Sequence, residues 1–370
     1  MRMLEKGRIS ALQMGLAMYL MIGATSTLIV PAISAKQAKQ DMWISPFWGA
    51  LWGILCVFLA WKLERLYPRS TFVEYSERII GKVAGKAVSL VFLFFVLLAV
   101  GSIIREYEEF IILAFLPDTP VIVVVASIVM ACSFAVRSGV EVLARFAILF
   151  APLFAMLLAS IFLFLLPNFD WQNMLPVLGY GMMPSIRGAI EPSAWFVEFF
   201  LIAFLFPCLR NREKGLRSGV VSVLAMLGTM VLSNMTCLLL LGDLTADLIF
   251  PVFSASRFIS IADFFSHVES IVATLWLFGG FVQIALWQYA LTIGTAQLFK
   301  LSDYRLIVFP IGFLIVAFTK WVASSFQEMI GFFLATGPFV SLLVLVLLPL
   351  ALLGIALVRR GFASGDQSRS

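Results

Sequence analysis

A succession of long apolar runs, separated by short polar connections, constrains this chain before any motif is considered. A helix needs about 20 mostly apolar residues to cross a bilayer, and hydropathy along the sequence predicts ten spans. They lie near 10–34, 44–63, 87–113, 120–136, 143–166, 188–208, 218–241, 268–298, 305–323 and 331–358. No connection is long enough for a soluble domain, so residues 1–370 read as a single polytopic membrane domain of the all-α class. Charged residues make up only 13% of the chain, about half the share of a soluble domain. The connections near 64–86 and 242–267 have room for a short interfacial or re-entrant helix, and the polar tail Gly361 to Ser370 reads as disordered. Basic residues precede the first run as in a signal peptide. That run is too long for one and lacks a small-x-small cleavage site, so it is expected to remain as span one.

The basic residues then orient the spans. Of the 26 Lys and Arg, 20 fall in alternate segments beginning with the N-terminus and 6 in the other set. The positive-inside rule places both termini in the cytoplasm, together with the loops around Arg65–Lys86 and Arg210–Arg217. Ten spans divide into five plus five, and an odd number per half inserts the second half inverted, the plan of many transporters. Span six is then the counterpart of span one.

Both members of that pair carry irregular chemistry. Span one contains Gly23-Ala24-Thr25-Ser26-Thr27 and then Pro31. Glycine weakens a helix interior, and hydroxyls offer the backbone other partners, so a break around a ligand is expected there. The alternative is a small-residue face for close helix packing. Span six reads Gly188-Ala189-Ile190-Glu191-Pro192-Ser193-Ala194-Trp195-Phe196-Val197-Glu198. Paired interruptions in matching positions of two halves point to a midplane site. Amides freed at a half-helix N-terminus near Thr25 would suit a carboxylate.

Glu198 falls about ten residues into its span, near the bilayer centre, where a carboxyl is costly and by default a functional candidate. It would bind a substrate ammonium, carry a coupling proton or pair with a buried base; the alternative is a protonated carboxyl bonded to a neighbouring helix. Glu191 reads as a solvated boundary residue. Span three carries Gly101-Ser102 at its middle and ends in Arg105-Glu106-Tyr107-Glu108-Glu109. Arg105 and Glu109 share a helix face and are expected to pair; the rival reading is an acidic outer vestibule that draws in cationic solutes. Span eight places Gln283 and Trp287 on one face, with Gln288 and Tyr289 beside them, so that face should be buried.

Other chemistries are excluded. No GxxxxGK[ST] loop is present, so the chain does not hydrolyse ATP for transport, and GxSxG, HExxH and CxxC are absent. The single His267 and four scattered cysteines, Cys56, Cys132, Cys208 and Cys237, predict neither metal site nor disulfide. No cofactor and no nucleic-acid partner is expected.

Residues 22–45, IGATSTLIVPAISAKQAKQDMWIS, resemble the first-span signature of the B-subunits of bacterial spore germinant receptors. The matching parts are Ile22-Gly23, Pro31, the Ala-Gln-rich exit Ala35 to Gln40, and Asp41-Met42-Trp43-Ile44. Arg257 to Phe265, RFISIADFF, is similar to the family's approach to span eight; the family then usually has a charged Glu-Arg pair, and this chain has Ser266-His267 and then Glu269. The resemblance implies membership of the amino acid–polyamine–organocation transporter superfamily, with a leucine-transporter-like fold in which helices one and six are broken. It implies a protein of the spore inner membrane that binds a small germinant, an amino acid in the usual case, and triggers germination. It also implies two partners, a larger A-type membrane subunit and a C-type lipoprotein. The alternative is a secondary amino-acid permease coupled to protons or sodium. Carried onto this chain, the pocket would comprise Gly23, Ala24, Thr25 and Ser26, then Gly101 and Ser102. It would be completed by Trp195, Phe196 and Glu198, and by Gln283, Trp287 and Tyr289.

Overall fold

The first span forms a continuous helix. Helix α1 (Ala11–Ala38) begins with a capping box: Ser10 Oγ accepts from the Gln13 amide at 3.1 Å while the Gln13 side chain accepts from the Ser10 amide at 2.7 Å. It then passes unbroken through Gly23–Thr27 and Pro31, which corrects the expected interruption of helix one. The hydroxyls of Ser26 and Thr27 donate to the Gly23 carbonyl at 3.3 and 2.7 Å, bonds made within the helix itself. Pro31 removes a single helical amide.

Described in the computed structural model are residues 4–259, 268–322 and 325–367; His267 and the part of the RFISIADFF segment from residue 260 onward lie outside them. After α1 come α2 (Ser45–Leu66), α3 (Phe72–Ile80), α4 (Lys82–Ala114), α5 (Val121–Ser138) and α6 (Val140–Leu165). A short α7 (Met183–Arg187) precedes α8 (Ile190–Val197), and then follow α9 (Gly215–Leu241), α10 (Pro251–Ser256), α11 (Val268–Leu298) and α12 (Val308–Val322). The last stretch is divided into α13 (Phe326–Ala335), α14 (Gly337–Leu342), a π-helical turn (Leu343–Leu347) and α15 (Leu348–Gln367). Helix α15 thus runs well into the tail expected to be disordered, and the 331–358 run is interrupted at Thr336-Gly337-Pro338. The short helix α3 fills the connection near 64–86, opened by a Thr71–Glu74 capping box.

Eight helices among the described residues are long and apolar enough to cross a membrane, and Val308–Val322 is a shorter apolar helix. Residues 188–208 take another form. Helix α8 lasts eight residues and gives way at Glu198 to 3-10 winding over Glu198–Phe204 and Phe206–Cys208. A 3-10 stretch rises ~2.0 Å per residue against ~1.5 Å for an α-helix, so Ile190 to Cys208 has a contour of ~34 Å, enough for a bilayer core. The expected irregularity of span six is therefore present, at Glu198.

Helix α1 is the hub. Of its apolar window 94% is buried in protein, against 28% for α6, and it packs on α6, α8, α9 and α11. The exposed side of α6 shows Leu149, Met156, Leu163 and Phe164. A stack of Phe72, Phe92 and Phe204, with Phe200 edge-on, fixes the 3-10 stretch against α3 and α4.

Contacts between loops fall into two groups. In one, the Glu5 carboxylate accepts from the amides of Gly7 (2.7 Å) and Val140 (3.3 Å) and from the Tyr304 hydroxyl (2.7 Å). Burial, and next the bond to Glu5, push the Tyr304 hydroxyl up from its usual range. Ile9 exchanges backbone bonds with Cys208 and Arg210, Arg212 pairs with Glu64 at 3.1 Å, and Arg359 donates to the Ile79 carbonyl. In the other group, Asp41 accepts from the Leu178 amide at 2.8 Å, Gln40 reaches Pro176, and Asn234 donates to the Met42 carbonyl at 2.8 Å.

Candidate ligand site

Where α8 changes its winding, a small cavity of about 70 Å³ opens between α4, α8, α11 and the α13–α14 break. Helix α4 contributes Phe95, Ala99, Ser102 and Glu106, which recur at helical spacing and so share one face. Helix α8 and its 3-10 continuation contribute Glu191, Trp195 and Glu198, again one face. Trp287 comes from α11, and Phe332, Pro338 and Ser341 close the fourth side.

Three carboxyls therefore meet around one apolar space. Glu106 is 1% exposed and Glu191 5%. One oxygen of each, Oε1 of Glu106 and Oε2 of Glu191, is buried without a hydrogen-bond partner, as is Oε2 of Glu198. Glu106 lies close enough to Glu198 to feel its charge. The Trp287 indole is adjacent to Glu198, but its N–H closes no hydrogen bond of normal geometry. Among the described lining residues none is basic. Arg105, next in sequence to Glu106, turns away and pairs with Glu108. This corrects the expected Arg105–Glu109 pair and leaves Glu106 on the inner face. Glu191 is likewise buried in the cavity wall and not a solvated boundary residue. Among the described residues no group of three His, Cys, Asp or Glu side chains could hold a metal ion.

Of the residues expected to form the pocket, Ser102, Trp195, Glu198 and Trp287 line this cavity. Thr25 stands one layer behind it. Its hydroxyl oxygen accepts from the Trp195 indole and the Gln283 amide, both at 3.0 Å, and so sets the pose of Trp195. The others pack helices. A Cβ on Gly23 would lie 3.0 Å from Phe154 Cε1, and one on Gly101 would lie 2.9 Å from Val322 Cγ2. Ala24 abuts Gly279, Ser26 bonds within α1, and Phe196 fills the space over Gly49 and Gly53 of α2. Tyr289 lies away from the cavity, 3.7 Å from Cys208 Sγ and beside Tyr304. Sequence reasoning missed Glu106, Glu191 and the α13–α14 break. The helical spacing Phe95-Ala99-Ser102-Glu106 and Glu191-Trp195-Glu198 was the signal for the first two.

Residues 8–327 match the model of the family described as "Spore germination protein". The chain belongs to that family. Spore germination protein KB of Bacillus subtilis (strain 168) is 28% identical over 99% of this chain and 100% of its own length. Spore germination protein YndE of the same organism is 27% identical over 75% of this chain and 77% of its own. Among solved structures, MhsT in complex with L-phenylalanine superposes with a TM-score of 0.65 at 12% identity, covering 96% of this chain and 99% of MhsT. A Na⁺-coupled sialic acid symporter in a substrate-bound outward-open state gives 0.66 at 12% identity, over 92% of this chain and 79% of its own. These likenesses show the fold, which is leucine-transporter-like. The protein is a multi-pass, permease-like membrane protein of the germination family, and its structural relatives are transporters, not enzymes.

Proposed function

We propose that this protein is the membrane subunit of a spore germinant receptor, and that a small amine-bearing nutrient such as an amino acid binds in the α4–α8–α11 cavity and triggers germination. The single observation that carries this reading is the coincidence of the cavity with the place where span six leaves α-helical winding, in a chain of the germination family. Ser102, Trp195, Glu198 and Trp287 would contact the ligand; Thr25, Ser26 and Gln283 would position the wall; Gly23, Ala24, Gly101 and Phe196 would hold the helices at contact distance; Tyr289 would brace the inner side. An ammonium has ready partners in the carboxyls and the Ser102 hydroxyl, whose hydrogen is given to the Leu98 carbonyl and whose lone pairs remain. MhsT, whose fold this chain shares, is described with a bound amino acid, which favours the same ligand class.

The chain would cross the spore inner membrane ten times with both termini cytoplasmic. The two groups of loop contacts support this, because one joins segments of the alternate set that holds 20 of the 26 Lys and Arg and the other joins segments of the set that holds 6. Its partners would be the A-type membrane subunit and the C-type lipoprotein. Affinity purification from spore membranes tests the assignment. A receptor subunit should bring down a larger membrane protein and a lipoprotein, and should not take up solute alone in liposomes. Uptake by the isolated chain, with nothing co-purifying, would make it a permease.

A further inference from the structure

The lining of the cavity is one-sided in charge. Glu106, Glu191 and Glu198 approach it from two elements, no described lining residue is basic, and three carboxyl oxygens are buried without partners. A zwitterionic ligand needs a site for its carboxylate as well as for its ammonium. The helix amides that would have served, at a break in α1, remain bonded within that continuous helix. The carboxyls are also too dispersed to close around one small ion. They are spaced along the faces of α4 and α8, which suits a ligand with length. Trp195, Trp287 and Phe95 line the same cavity, with Phe95 and Trp287 rings 6.3 Å apart, and aromatic faces attract ammonium groups.

We propose that the cavity selects organic ammonium ligands of net positive charge, the class of basic amino acids and linear diamines, with Glu106 and Glu191 as specificity-determining residues beside Glu198. The inference rests on the cavity being the nutrient site. A second cationic nitrogen would give the orphaned oxygens charge-assisted hydrogen bonds, stronger than neutral ones. A neutral side chain of equal length would leave those oxygens bare in an apolar wall.

The experiment compares lysine, 1,5-diaminopentane and norleucine, which has lysine's chain without the terminal nitrogen. Direct binding is measured on the full-length protein in nanodiscs at one pH and ionic strength, alongside the thermal unfolding midpoint. Lysine and 1,5-diaminopentane should bind at least about tenfold more tightly than norleucine, the equivalent of one charge-assisted bond. Glu106→Gln should remove most of that preference, weakening lysine and 1,5-diaminopentane several-fold more than norleucine, with the thermal midpoint reporting whether the variant is folded. Glu191→Gln provides the same reading should Glu106→Gln fold poorly. Equal binding of lysine and norleucine would overturn the charge selectivity and leave the nutrient-binding reading standing. Binding of none of the three to folded protein would overturn both.

Discussion

Spans one and six look alike in sequence and behave differently in the fold. Each has a cluster of residues that disfavours regular helix, and the two occupy matching places in the halves of the chain. In span one the cluster is small, hydroxylated and uncharged, and the hydroxyls find acceptors or donors at once: Ser26 and Thr27 on the Gly23 carbonyl, Thr25 under Trp195 and Gln283, Thr27 under Trp276. Every residue from Gly23 to Thr27 is buried, and the helix continues. In span six the cluster carries carboxyls, which find no complete set of partners, and there the winding changes and a cavity remains. Small residues close space by letting helices approach. Unsatisfied carboxyls keep a demand for a ligand, which is why the second span is the better candidate for binding.

The contrast can be broken by substitution. The largest loss of stability is expected for Thr25→Val, which takes one acceptor from two buried donors, the Trp195 indole and the Gln283 amide. Each stranded donor costs about 1–3 kcal/mol, so the unfolding midpoint of the purified protein should fall sharply. A midpoint near that of the wild type would show that span one does not position the cavity wall. Gly23→Leu should come next, through overpacking against Phe154 of about 1–3 kcal/mol, read as reduced protein in the membrane with intact ligand affinity in the folded fraction. Normal abundance with lost affinity would instead return the ligand to span one. Glu198→Gln should disturb stability least, by under ~1 kcal/mol, since the amide replaces a carboxyl that lacks one partner already. It should nonetheless suppress the germination response of spores at near-normal protein levels. An unchanged response would make Glu198 a packing residue.

Much of the arrangement was legible beforehand. The positions of most apolar runs follow from hydropathy, the short helix α3 falls in a connection with room for one, and the irregular winding at Glu198 lies at the end of the Gly188–Glu198 run that marked span six. The candidate site was legible in part. Trp195, Glu198, Trp287 and Ser102 face the cavity, whereas Gly23, Ala24, Gly101 and Phe196 serve close contacts between helices. A glycine that admits a ligand and a glycine that admits a phenylalanine ring have the same sequence signature, so only the neighbour distinguishes them. Glu106 was misplaced because its neighbours Arg105 and Glu108 made the whole run look solvent-facing, when successive residues on a helix point about 100° apart.

Composition, the length of the apolar runs and the lopsided distribution of basic residues determined that this chain crosses a membrane many times, because lipid accepts backbone only in fully bonded form. The short signature of span one pointed to its family. The tertiary structure decided which side of each span faces protein, lipid or cavity. A span that is apolar all round shows no period from which its orientation can be read. Whether a polar side chain deep in the bilayer is satisfied depends on partners hundreds of residues away, as Thr25 depends on Trp195 and Gln283.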